Sequence, residues 1–190
     1  MKIGLYFGSF NPVHVGHLII AESILELTNL EEIWMIVSPL NPFKEQKELL
    51  DHYKRLEMVK IATRGNKKIK GSNVEFDLPI PSYTIDTLRY LEEKTRNKTF
   101  SLIMGEDNLE GLDKWKESKE LIRNYSIYVY PRLGYTTDKY KDHDNIHRLK
   151  APIIELSSTK IRRKIAEKAS IRYLVVEKVR QKIEKEGWYT

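Results

Sequence analysis

Apolar residues recur along the chain with two alternating spacings, and the order of those spacings predicts the fold. Lys2 to Phe7 is a short apolar run that stops at Gly8 and Ser9, and Val15 to Leu27 then carries Leu18, Ile19, Ala21, Ile24, Leu25 and Leu27 at helical spacing. A second apolar run, Ile33 to Val37, ends at Ser38 and Pro39. A polar loop with Pro42 and Lys44 leads from it to a helical stretch from Asp51 to about Thr63. The third strand is expected at Asn73 to Phe76, followed by a helix from Thr84 to about Lys94, a strongly apolar strand at Phe100 to Met104 and a helix from Trp115 to Arg123. Ser126 to Tyr130 and Ile153 to Leu156 read as strands five and six, and helices from Ser158 to about Lys168 and from Tyr173 to about Glu186 complete the pattern. The polar segment Arg132 to Pro152 is the least regular part and is expected to be a mobile loop.

Strands rich in Ile, Val and Leu that alternate with amphipathic helices imply parallel pairing, with helices on both faces of one twisted sheet. The expected architecture is a doubly wound α/β fold in a single domain, which 190 residues can fill. Ligands of such sheets sit outside the carboxyl ends of the strands. The chemistry should therefore lie in the loops after strands one, two, four and six.

Two of those loops carry a usable pattern. After strand one comes Gly8-Ser9-Phe10-Asn11-Pro12-Val13-His14-Val15-Gly16-His17. Gly8 and Ser9 let the backbone turn and offer N–H groups, and His14 and His17 open a helix whose dipole favours anions. Gly16 removes a side chain where a ligand or a neighbouring backbone needs close approach. Near the other end, Leu156-Ser157-Ser158-Thr159-Lys160-Ile161-Arg162 places hydroxyls at a helix start, with Ser158 as the expected N-cap and Arg162 one turn on. Either pattern alone is ordinary: a lone histidine is commonly a packed residue, and Ser or Thr caps are common. Together they describe two phosphate sites.

Composition narrows the field. Hydrophobic residues make up 41% and charged residues 32%, which suits a folded core, and the net charge of +6 is spread along the chain as a general bias toward anions. The absence of cysteine excludes disulfides, thiolate nucleophiles and cysteine-based zinc sites. The amino-terminal residues lack a signal-peptide pattern, and no stretch approaches the roughly 18 uninterrupted apolar residues of a membrane helix. The expectation is a cytoplasmic protein with no membrane association, and a homo-oligomer is left open.

His-x-Gly-His at 14–17 with Ser-Ser-Thr-x-Ile-Arg at 157–162 resembles the nucleotidyltransferase superfamily. Within it, Ser82-Tyr83-Thr84-Ile85-Asp86-Thr87-Leu88 and Met104-Gly105-Glu106-Asp107-Asn108, followed by Trp115, are similar to bacterial nicotinate-nucleotide adenylyltransferases, in the family's order and over nearly the whole chain. The resemblance implies a Rossmann-like fold, ATP and nicotinate mononucleotide as substrates, and magnesium. The implied products are nicotinate adenine dinucleotide and pyrophosphate.

Carried over residue by residue, the resemblance puts the catalytic side chains His14, His17 and Arg162 on the ATP phosphates. The backbone of Ser9 and Phe10 lies near the reacting phosphorus, Gly8 and Gly16 belong to the same ATP-binding loop, and Ser157, Ser158 and Thr159 join Arg162 on the outer phosphates. Lys44 matches a lysine that approaches the phosphates, Asp107 suits ribose hydroxyls, and Gly105 keeps its loop close. Trp115 offers an aromatic face for the pyridine, Tyr83 and Thr84 offer N–H groups to its carboxylate, and Arg132 stands near the ligand. Acid should be preferred over amide.

Three positions depart from the family. Phe7 stands where the first of two glycines is usual, Asn11 where aspartate is common, and Val176 where proline is frequent before the last helix. Other readings stay open at this stage: the same chemistry with another acceptor such as phosphopantetheine, cytidylyl transfer to an alcohol phosphate, or a non-catalytic nucleotide or RNA binder. The last is suggested by the positive charge, eleven tyrosines and the likeness of the histidine motif to class I aminoacyl-tRNA synthetases. Against it, the lysines of the final helices read as solvated faces, so no nucleic-acid partner is expected.

Overall fold

A computed structural model describes residues 1–40 and 49–190. One sheet contains β1 (Lys2–Gly8), β2 (Glu32–Val37), β3 (Ile69–Ser72), β4 (Thr99–Gly105), β5 (Ile127–Tyr130) and β6 (Ile146–Arg148). The spatial order is β3-β2-β1-β4-β5-β6, and every neighbouring pair is parallel. Strand order reverses between β1 and β4, so the crevice beyond their carboxyl ends is the switch point at which open α/β sheets bind ligands.

The described helices are α1 (Val15–Leu27), α2 (His52–Ala62), α3 (Thr84–Lys94), α4 (Glu106–Glu110), α5 (Ser118–Asn124), α6 (Ser158–Ala166) and α7 (Glu177–Glu186). The two-residue period of the strands splits their side chains between two cores. Tyr6, Ile33, Met35 and Ile103 pack with Ile24 of α1, Val59 of α2, Ile161 of α6 and Val179 of α7. Ile3, Leu5, Leu102 and Met104 pack with Ile85 and Leu88 of α3 and Leu121 of α5. Burying each such aliphatic side chain stabilises the fold by roughly 1.5–3 kcal/mol.

The doubly wound architecture read from the sequence is present, and four local expectations need correction. β3 is Ile69–Ser72, whereas the expected third strand, Asn73 to Phe76, overlaps a 3-10 turn at Val74–Asp77. The real strand, Ile-Lys-Gly-Ser, occupies a sheet edge and buries only its Ile, so it has almost no apolar signature. Ile153 to Leu156 forms no ladder, and β6 is Ile146–Arg148, inside the segment expected to be a mobile loop. This opposite edge is three residues long, and one of them is buried. Trp115 is not helical: it follows a 3-10 turn, Leu112–Lys114, and α5 starts only after Glu117, whose φ is +50°. The last helix begins at Glu177 rather than Tyr173, with Val176 at φ −61° before it, an angle that a proline would also adopt.

Candidate active site

β1 ends at Gly8, and the chain turns through Phe10, held at φ +45°, to His14, whose extended backbone caps α1. The two imidazoles stack, with ring centres 3.6 Å apart and planes 22° apart. The His14 amide donates to His17 Nδ1 at 3.2 Å, which places the proton of a neutral His17 ring on Nε2. His14 is 5% exposed, and its Nδ1 is buried without a hydrogen-bond partner. Burial above all, and then the charge of Arg132, lower its pKa from 6.5 to about 4.

A stability prediction follows from that shift. Between pH 4 and pH 6.5 the unfolded chain holds a proton on this imidazole that the folded chain does not, so stability is full above about pH 6.5 and falls as the pH drops toward 4. The contribution is on the order of 3 kcal/mol. Urea unfolding of the wild type and of His14→Asn at pH 7 and pH 4.5 should show a smaller acid loss in the variant. Equal losses would refute the assignment.

The second phosphate loop is built on α6. Ser157, not Ser158, is its N-cap: Ser157 Oγ accepts from the Lys160 amide at 3.2 Å. Ser158 lies inside the first turn, and its hydroxyl is turned to the opposite end of the chain, donating to the Pro12 carbonyl at 2.9 Å. Arg162 Nη1 donates to the Asn11 carbonyl at 3.0 Å. The amino ends of α1 and α6 are thereby brought to one place, and both favour anions.

The result is a cleft of ≈ 780 Å³ lined by Gly8, Ser9, Phe10, His14, His17, Asp107, Arg132, Ser157, Ser158, Thr159 and Arg162. Phe7, Gly8, Ser9, Asp107 and Asn108 also line an adjoining cavity of ≈ 220 Å³ that holds Tyr83, Thr84 and Trp115. Arg132 Nε lies 3.6 Å from Asp107 Oδ1. Two glycines expected at the ligand line neither cavity. A Cβ on Gly16 would meet Ile154 Cγ2 at 2.8 Å, and one on Gly105 would meet Asp107 Oδ1 at 2.3 Å. They make room for packing beneath His14 and Asp107. Lys44 lies outside the described residues.

Among the described residues, the buried side-chain atoms left without a hydrogen-bond partner are His14 Nδ1, Glu75 Oε2, Ser82 Oγ and Asp107 Oδ1. All four residues line these two cavities. Unsatisfied buried polar atoms are costly, so their concentration here marks a binding site. Glu75 is 2% exposed at the floor of the smaller cavity and accepts from Thr87 Oγ1 at 2.9 Å. Burial raises its carboxyl above the ordinary value, although the Thr87 hydroxyl opposes the shift.

Sequence reasoning missed the groups that hold the loops in place. Arg55 is fully buried and donates Nε to Leu50 O at 2.7 Å, Nη1 to Ser9 O at 2.6 Å and to Ser38 O at 2.9 Å, and Nη2 to Pro39 O at 3.0 Å. It joins the loops after β1 and β2, yet in sequence it is one more cation on a helix. Tyr6 and Tyr130 meet through their hydroxyls at 3.3 Å beneath the cleft. Burial raises both phenols above their ordinary range, Tyr6 well above it. Phe7, noted only as a departure, lines both cavities.

Comparison with known proteins matches residues 5–164 to the cytidylyltransferase-like family. A probable nicotinate-nucleotide adenylyltransferase from Christiangramia forsetii is 52% identical over 190 residues, covering 99% of this chain and 98% of the relative. The chain belongs to this family. A second probable nicotinate-nucleotide adenylyltransferase, from Flavobacterium psychrophilum, is 49% identical and covers 100% of this chain and 99% of its own. In fold, the chain is similar to Plasmodium falciparum nicotinic acid mononucleotide adenylyltransferase complexed with NaAD. The TM-score is 0.84 at 21% identity, covering 99% of this chain and 97% of that one.

Proposed function

We propose that the chain transfers the adenylyl group of ATP to nicotinate mononucleotide, giving nicotinate adenine dinucleotide and pyrophosphate in NAD biosynthesis. One observation carries this reading. Ser158 and Arg162 bond to the carbonyls of Pro12 and Asn11, so the imidazoles and the hydroxyl-guanidinium group share one cleft, and the Trp115 cavity opens beside it.

The nucleophile is a phosphate oxygen of the mononucleotide, already ionised at pH 7, so no protein base is required. It attacks the α-phosphorus in line, the new P–O bond forms, and the bond to the bridging oxygen breaks to release pyrophosphate. The protein's task is alignment and stabilisation of the charge on the transferring and leaving groups. His17, His14, Arg162 and the amino ends of α1 and α6 supply donors and positive potential. Trp115 stacks on the pyridine, the Tyr83 and Thr84 amides at the start of α3 receive its carboxylate, and Asp107 accepts ribose hydroxyls.

Among the described residues, no three His, Asp or Glu side chains are grouped to cage a metal. Magnesium bound with ATP would neutralise charge that builds on the transferring and leaving phosphates. No described helix is long and apolar enough to cross a membrane. A cytoplasmic location fits an enzyme that draws on ATP.

The test supplies ATP, magnesium and either nicotinate or nicotinamide mononucleotide, and measures pyrophosphate release. The acid should be favoured in kcat/KM by at least about 10-fold, because its charge strengthens the amide hydrogen bonds. Turnover with phosphopantetheine, or with CTP and an alcohol phosphate, and none with nicotinate mononucleotide would overturn the assignment.

A further inference from the structure

We infer that Tyr189 is a positioning residue for the triphosphate end of the cleft, acting through Asn11 on the loop that receives Arg162. The inference rests on the functional reading above.

Residues 187–190 form a tight, anchored turn after α7. Gly187 takes a left-handed φ of +63°, the Trp188 amide donates to Ile183 O at 3.1 Å, and Thr190 Oγ1 donates to Gly187 O at 2.8 Å. Trp188 is buried, with the ammonium groups of Lys54 and Lys182 5.8 and 5.5 Å from its ring centre. Tyr189 is then held at φ +67°, a strained angle for a residue with a side chain, which persists only where its surroundings fix it.

That angle sends the ring back to the phosphate loop. Tyr189 Oη donates to Asn11 Oδ1 at 2.8 Å, and the same oxygen accepts from the Leu50 amide at 3.2 Å. Asn11 is 5% exposed, and its backbone carbonyl is the acceptor for Arg162. Arg55 meanwhile pins the Ser9 carbonyl. The residues on either side of Phe10 are therefore fixed from behind, one by a guanidinium and the other by a phenol.

Tyr189 does not line the main cleft. It lines a groove beside it together with Thr159 and Arg162. From there it acts on the triphosphate end through the Asn11 carbonyl, which orients Arg162. Sites of this kind tolerate only about 0.5 Å of slack in such groups. The phenol is also a dependable donor: burial raises its pKa, although the charges of Arg55 and Arg162 oppose that. Asn11 receives this donor with a neutral oxygen and adds no negative charge beside the phosphates.

Tyr189→Phe removes the hydroxyl and keeps the ring. Calorimetry with a non-hydrolysable ATP analogue alone should show binding weakened roughly 3- to 10-fold, the scale of one neutral hydrogen bond. kcat/KM for ATP should fall in parallel, with KM for nicotinate mononucleotide and the shape of the pH profile unchanged. In a double-mutant cycle, Tyr189→Phe should add nothing to Asn11→Ala. Unchanged analogue binding in Tyr189→Phe overturns the inference alone, as do additive effects, or losses shared equally by both substrates along with a lower unfolding midpoint. A wild-type chain that does not bind the analogue overturns the functional reading and this inference with it.

Discussion

His17→Ala is expected to lower turnover on the order of 10²- to 10³-fold with little change in KM for either substrate, the signature of a donor that acts mainly in the transition state. The geometry assigns the larger role to His17. Its Nδ1 is occupied by the His14 amide, so Nε2 carries the donor hydrogen of the neutral ring, and the ring lines the cleft. His14 is more deeply buried, and its suppressed basicity leaves it neutral near pH 7 in the absence of ligand. The loop itself is held by Arg55, Ser158 and Arg162, none of which depends on the His17 side chain. The thermal midpoint of His17→Ala should therefore stay within a few degrees of wild type. Turnover within about threefold of wild type would remove His17 from the mechanism.

Arg55→Met is expected to have the largest effect on stability, a loss of roughly 3–5 kcal/mol. In a chain of this size that corresponds to a midpoint lowered by about 6–20 °C. Methionine fills comparable space but leaves the carbonyls of Ser9, Ser38, Pro39 and Leu50 without the donors they now have. Burial brings the Arg55 pKa down to about 10, partly offset by Tyr189 and Asp51, so the group keeps its charge at neutral pH. Arg55→Lys should recover only part of the loss, since an ammonium lacks the planar fork that reaches several acceptors at once. Urea unfolding of the three proteins measures this. A methionine variant within 1 kcal/mol of wild type would show that these bonds are not what holds the two loops together.

The sequence made one half of this architecture legible and hid the other for a physical reason. β1, β2, β4 and β5 bury both faces and announce themselves as apolar runs, whereas β3 and β6 lie at the edges and bury little. The residues that line the cleft sit in short motifs whose spacing reflects a local need, a turn or a helix start, so His14, His17, Ser158 and Arg162 could be picked out. The supporting groups have no such local need. Arg55 reaches a carbonyl 46 positions away and Tyr189 an amide oxygen 178 positions away, and neither partnership leaves a periodic trace. The N-cap was misplaced by one residue because Ser157 and Ser158 are chemically alike. Only the three-dimensional arrangement shows that the second hydroxyl is committed to Pro12.

The bond from Ser158 to Pro12 joins positions 146 apart, and this has a meaning for how the protein comes into being. A ribosome delivers the histidine loop early, and its counterpart on α6 only when most of the chain has been synthesised. A nascent polypeptide can begin to pair β1 with β2 long before it can grip a nucleotide. The cleft is therefore completed only once α6 has been synthesised, late in translation.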